Sequence, residues 1–172
     1  GAANLDVDEI GAASNRGWDD ARGLRGRAMY APSRGGGHPF VFRDEAHMRK
    51  VIDGPIGQKL LEQVTASPQS RLVVLGWMDA GTRNVYSHKP AAKPEDLKGQ
   101  KIRMMGNPIF VETMNAMGGN GVAMGFNELY SAMQTGVVDG AENNPPTYLT
   151  QNHYQITKFY NLTGHLIIPE IF

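Results

Sequence analysis

Two short β-like runs, "TRNVYSH" and "QKIRMM", each carry one arginine, Arg83 and Arg103. Arginine is a poor filler for a strand that lines a core. It is well suited to holding an anion, because its planar guanidinium meets a carboxylate with two parallel hydrogen bonds. A further polar group, Glu142–Asn143–Asn144, closes the strand-like run "VVDGAENN". Asn143 offers an amide donor, and Phe126, at a helix start, offers an apolar wall. In open α/β sheets, ligands bind at the carboxyl ends of the strands. Residue chemistry alone leaves two readings open: an anion site, or structural ion pairs of an arginine with Asp79 or Glu142.

Other chemistries find less support. The histidines, His38, His47, His88, His153 and His165, show no HxH or HxxxH spacing, so no local metal site is expected. The absence of cysteine removes disulfides, thiolate zinc sites and Cys nucleophiles. Neither a GxSxG elbow nor a P-loop is present. "MGGNGVAMG" lies between a helix and a strand, whereas a dinucleotide fingerprint places its glycines between a strand and the following helix. It reads as a turn. Met114, Met117, Met124 and Met133 occupy apolar positions and read as core filling. The 17 basic groups balance 17 acidic ones, which argues against nucleic acid as a partner. The Arg/Gly-rich tract "NRGWDDARGLRGRAMYAPSRGGGHPF" is broken by Asp19, Asp20 and Pro32, and reads as loop, not as an RNA-binding segment.

The elements that position these groups follow from periodicity. "RDEAHMRKVIDG" and "PIGQKLLEQVTAS" have helical spacing, with Gly54 closing the first helix and Pro55 opening the second. "RLVVLGWM" is a continuous apolar run, the pattern of a buried parallel strand. The strands of Arg83 and Arg103 follow, joined by "KPAAKPEDLKG", where Pro94 starts a helical turn that Gly99 ends. "NPIFVETMNAMGG" and "FNELYSAMQTG" read as helices around the strand "NGVAM", with Gly136 as a C-cap. "PPTYLTQNHY" begins a helix, and "KFYNLTGHLIIPEIF" gives one or two strands. This alternation predicts an α/β sheet with helices on its faces. No apolar run reaches the roughly 18 residues of a membrane span, and the start lacks the pattern of a signal peptide.

The stretch from about Phe40 to Phe172 resembles the solute-binding subunit of tripartite ATP-independent periplasmic (TRAP) transporters, the DctP type. "PEDLKGQKIR", "ELYSAMQTGVVDGAEN" and "LTGHLIIPEIF" carry the resemblance. It implies a periplasmic-binding-protein-like, two-lobed α/β fold that closes around an organic carboxylate: a C4-dicarboxylate, a 2-oxo acid or a sugar acid. It also implies a periplasmic, monomeric protein that serves TRAP membrane subunits, is not an enzyme, needs no cofactor or metal and does not itself insert into the membrane. The family's selectivity arginine falls on Arg103, its second arginine on Arg83 and its asparagine on Asn143. Its aromatic before "ELY" falls on Phe126, and Trp77 precedes the first arginine as in many members. Glu142, Asn144, Thr147 and Tyr148 lie near the implied site, which leans toward a hydroxylated acid.

Residues 15–38 depart from the family pattern, and family members usually run longer. The expected layout is an irregular segment at 1–39, a partial first lobe at 40–80, a complete second lobe at 81–168 and a return to the first lobe at 169–172. Both ends are expected to be truncated. Two alternatives remain: an α/β enzyme on a carboxylic acid with Glu142 or His88 as base, or a truncated copy without function.

Overall fold

The computed structural model of the protein describes residues 42–172. The expected irregular segment at 1–39, with its Arg/Gly tract, lies outside the described residues.

Two helices come first, α1 (Glu45–Ile52) and α2 (Pro55–Ala66). Asp44 caps α1 by accepting from the His47 backbone N–H. Gly54 is the N-cap of α2 and Pro55 its first residue, where a missing N–H costs nothing. The two helices meet so closely at Gly57 that a Cβ there would lie 1.9 Å from the Ile52 carbonyl oxygen.

The rest of the described chain is built on a five-stranded sheet. Its strands are β1 (Trp77–Ser87), β2 (Lys101–Met104), β3 (Asn120–Ala123), β4 (Gly140–Asn143) and β5 (Phe159–Ile171), in the order β3-β2-β4-β1-β5. β2 runs parallel to β3 and β4, while β1 is antiparallel to β4 and β5. Helix α3 (Pro108–Ala116) connects β2 to β3, and α4 (Leu129–Gln134) connects β3 to β4. Helix α5 (Pro145–Thr150) follows β4 directly, behind the Asn144 cap. Short 3-10 turns stand at Pro94–Leu97, Phe126–Glu128 and His153–Gln155.

Alternation along each strand splits the core between the two sheet faces. Val85, Ile102 and Met104 pack on one face with Leu97, Met114 and Met117. Tyr86 and Ala141 pack on the other with Leu129, Ala132, Met133 and Val138. The methionines fill core as expected, with Met124 packed against the second group. A third cluster, Phe42, Met48 and Ile52 with Trp77 and Ile167, joins α1 to the far end of β1 and β5.

One expected strand is absent. Residues 71–76 form no ladder, and Leu72, Val73 and Leu75 are exposed. Only the amides of Leu75 and Gly76, both donating to the Phe172 carbonyl, and that of Phe172, donating to Gly76, tie the run to β5. An apolar run becomes a buried parallel strand only with a strand beside it, and among the described residues none lies there. Trp77 and Met78 instead open the antiparallel strand β1. The final run forms a single thirteen-residue strand.

Candidate functional site

The parallel strands β2, β3 and β4 all end at one edge of the sheet, and Arg103, Phe126 and Asn143 stand at those ends. On β2, Ile102 and Met104 turn into the α3 face, so Arg103 turns to the other. There it is level with Val122 on β3 and Ala141 on β4. Its Nε donates to the Met124 carbonyl at 2.9 Å, and its guanidinium carbon lies 5.7 Å from the centre of the Phe126 ring. The two terminal nitrogens have no hydrogen-bond partner among the described residues. Burial, with Arg83 nearby, lowers the Arg103 pKa, but guanidinium remains charged at any ordinary pH. A buried guanidinium with both terminal ends unpaired is half of a bidentate anion contact.

Arg83 stands on the opposite face. Glu142 is level with Val85, and Arg83 lies two residues along from Val85 on the same side of β1. Arg83 Nε donates to Glu142 Oε2 at 2.6 Å and Nη2 to Oε1 at 2.8 Å, with a third bond from Nη2 to the Glu142 carbonyl at 3.2 Å. Of the two acids considered for an ion pair, Glu142 takes Arg83, and Asp79 pairs with Arg49 instead. By strand alternation Arg83 and Arg103 thus stand on opposite sides of the sheet. Among the described residues, Nη1 of Arg83 has no hydrogen-bond partner.

Glu142 is fully buried and also lies 3.4 Å from Nε2 of His165, whose Nδ1 is 2.7 Å from the Thr163 hydroxyl. Burial works to raise the Glu142 pKa, but the hydrogen bonds and charges of Arg83 and His165 outweigh it and hold the value down at about 2. A carboxylate so sealed and so acidic is not placed to act as a base. The other considered base, His88, has its Nε2 at 3.2 Å from the Met133 carbonyl.

Asn143 shares the face of Arg103. Its Oδ1 accepts from the Asn144 backbone N–H at 2.9 Å, which leaves Nδ2 without a partner among the described residues. Asn144 is occupied: its Oδ1 caps α5 at Thr147 and its Nδ2 donates to the Ala80 carbonyl. Tyr148 is occupied too, its hydroxyl donating to the Thr157 carbonyl at 2.6 Å and its ring packing 4.9 Å from Tyr86 and 4.8 Å from Tyr160. Trp77 sits with the α1 cluster and donates from Nε1 to the Gly57 carbonyl at 3.3 Å. The cleft it lines, about 590 Å³ between α2 and residues 74–77, contains none of Arg103, Arg83 or Asn143.

Two histidines enter the site that spacing along the chain does not mark. His165 reaches Glu142, as above. His153 is buried behind Phe126, at 6.1 Å between rings, with Nδ1 2.8 Å from the Tyr86 hydroxyl. Burial and the charge of Arg103 lower its pKa, which favours the neutral ring. Only contact in three dimensions joins His153 to Tyr86, which lies 67 positions away. Among the described residues no cluster of His, Asp and Glu is arranged to hold a metal, and no helix is long and apolar enough to cross a membrane.

An α/β sheet with a cationic, hydrogen-bonding edge at the ends of parallel strands is the periplasmic-binding-protein-like arrangement. The model of the bacterial extracellular solute-binding proteins, family 7 (DctP), matches residues 37–172, and the chain belongs to that family. It is 40% identical over 133 residues to a solute-binding protein of Chromohalobacter salexigens, across 77% of this chain and 39% of the relative. Among crystal structures, it is 62% identical to a TRAP periplasmic solute-binding protein of Pseudomonas putida F1 with bound D-glucuronate (TM-score 0.72, 77% of this chain, 43% of that one). It is 56% identical to a TRAP periplasmic solute-binding protein of Citrobacter koseri, also with bound D-glucuronate (TM-score 0.72, 77% and 44%). The chain thus spans less than half the length of the proteins it matches.

Proposed function

We propose that the protein is a periplasmic solute-binding protein that captures a sugar acid of the hexuronate class, such as D-glucuronate, and delivers it to TRAP membrane subunits. The observation that carries this reading is Arg103, a buried cation at the carboxyl end of β2 with two unpaired terminal nitrogens above the Phe126 ring. The carboxylate forms a bidentate pair with Arg103, and Asn143 Nδ2 adds a donor from the same face. Arg83, held by Glu142 on the other face, adds a second positive charge near the strand ends without touching the ligand. Trp77, Asn144 and Tyr148 act indirectly, by fixing β1, the start of α5 and the Tyr86 ring. The bound D-glucuronate of the two similar structures supports a hydroxylated acid over a plain dicarboxylate. The part from about residue 81 to 168 serves as the second lobe, and closure of a first lobe on it excludes water, which strengthens charge-assisted bonds.

Calorimetric titration of the full protein with D-glucuronate, D-galacturonate and succinate tests the reading. The uronates should bind more tightly than succinate, and Arg103→Ala should abolish binding while the protein stays folded. Unchanged uronate affinity in Arg103→Ala would sink the assignment.

A further inference from the structure

His153 has a polar atom with no partner among the described residues. The residue is 2% exposed, and its ring lies between Tyr86, Phe126 and Tyr130, at 5.4, 6.1 and 6.4 Å between centres. Nδ1 meets the Tyr86 hydroxyl at 2.8 Å. Nε2 makes no hydrogen bond among the described residues.

The tautomer follows from Tyr86. Its side chain is fully buried, and burial with the nearby Glu142 charge pushes its pKa up, so the hydroxyl keeps its proton. A phenol has one O–H donor, and His153 Nδ1 is the hydrogen-bond partner of this one. If Nδ1 carried a proton, the Tyr86 O–H would be buried without an acceptor, which costs the full desolvation penalty of the group. The arrangement that satisfies both rings has Tyr86 donating to Nδ1 and the proton of neutral His153 on Nε2. The unpartnered nitrogen is thus a donor. It stands behind Phe126, the ring that also underlies Arg103.

We infer that His153 is a specificity-determining residue, whose Nε2–H donates to a hydroxyl or ring oxygen of a sugar acid anchored at Arg103, and that Tyr86 is the positioning residue that fixes its tautomer. This rests on the carboxylate reading of Arg103 and adds a second contact for the part of the ligand that a plain dicarboxylate lacks. A site that hydrogen-bonds a substrate hydroxyl discriminates against analogues without it, because the site's own polar atom is then left unpaired.

The test compares D-glucuronate with succinate on the full protein by calorimetry, beside NMR of the imidazole nitrogens. Wild-type His153 should show the Nε2–H tautomer, with an Nε2 shift on saturation with D-glucuronate. His153→Phe keeps an aromatic ring and removes the donor; it should weaken D-glucuronate about tenfold and change succinate less than about twofold. Tyr86→Phe should weaken D-glucuronate by a smaller factor and populate the Nδ1–H tautomer. Equal losses for both acids in His153→Phe, or an Nε2 resonance unmoved by saturating D-glucuronate, would overturn the inference. Should His153→Phe not fold, the NMR measurement on wild type decides alone. Failure of wild type to bind any of these acids, or of Arg103→Ala to lose them, is instead failure of the carboxylate reading.

Discussion

Arg83 and Glu142 face each other diagonally across the β1–β4 ladder, joined by two charge-assisted bonds of 2.6 and 2.8 Å. Both are buried, and 59 residues of chain separate them. Such a pair contributes little net stability compared with apolar packing, but loss of one member leaves an uncompensated buried charge. Its role is to hold the Arg83 guanidinium, and the β1–β4 junction, in one geometry beside the strand ends.

Glu142→Gln should therefore destabilise the protein strongly although it changes only one atom type. The amide still fits and can accept one hydrogen bond, but Arg83 loses its counter-charge. A loss of about 3–5 kcal/mol is expected, measured by urea unfolding at neutral pH. A loss under 1 kcal/mol would show that water solvates Arg83 in place of the carboxylate.

The same pair sets an acid limit. The folded pKa of Glu142, about 2, lies below the ordinary value of 4.5. A depressed carboxylate contributes stability that is fully present above its unfolded pKa and is lost as pH falls through the folded one. Stability should thus fall between about pH 4.5 and 2, with this group adding at most about 1.4 kcal/mol per pH unit. Urea midpoints at pH 5, 4 and 3 should drop more steeply in wild type than in Glu142→Gln, which lacks the titrating group. Parallel profiles would assign the acid sensitivity to other carboxylates.

Gly140 on β4 is paired with Ser87 on β1. A Cβ there would stand 2.2 Å from the Tyr86 carbonyl and 2.7 Å from the Ser87 Cβ. Neither neighbour is the end of a flexible chain, so the strands themselves must part. Gly140→Ala should cost about 2–3 kcal/mol, in the upper range for overpacking. It should also weaken D-glucuronate, because Tyr86 supports the His153 side of the proposed site. A melting temperature within a degree of wild type would show that the ladder yields more easily than its contacts imply.

The helices around Asp44, Pro55 and Pro108 and the strands of Arg83 and Arg103 were legible because caps and periodicity are local signals. The proposed anchor is marked in the sequence only as an arginine in a short strand between apolar neighbours, and Phe126 opens the 3-10 turn after β3. What the sequence does not carry is register. Whether Arg83 and Arg103 share a face depends on how β1, β4 and β2 align, since a one-residue slip reverses every side chain. The choice of Glu142 over Asp79 as the partner of Arg83 depends on the same alignment. His153 and His165 acquire meaning only from Tyr86 and Glu142, which are remote in sequence. The run at residues 71–76 was misread for a related reason, because an apolar pattern reports a tendency to be buried and not the presence of a neighbour.

Asn144 joins the end of β4 to two other elements at once. Its Oδ1 accepts from the Thr147 amide at 2.8 Å to cap α5, and its Nδ2 donates to the Ala80 carbonyl on β1. Its own amide also holds Asn143 Oδ1 at 2.9 Å, which orients the Asn143 amide group toward the Arg103 face. Asn144→Ala removes a cap, about 1 kcal/mol, and a side-chain bond to backbone, about 1 kcal/mol more. Asn144→Asp keeps the capping oxygen and loses only the donor, so it should recover about half of the loss in urea unfolding. If the two variants are equally destabilised, the bridge to Ala80 and not the cap is what fixes the start of α5. Uronate affinity adds a separate readout: it should fall in Asn144→Ala beyond what an equally destabilising change in α2 produces, because only the former loosens the backbone at residue 144, whose N–H holds Asn143 Oδ1.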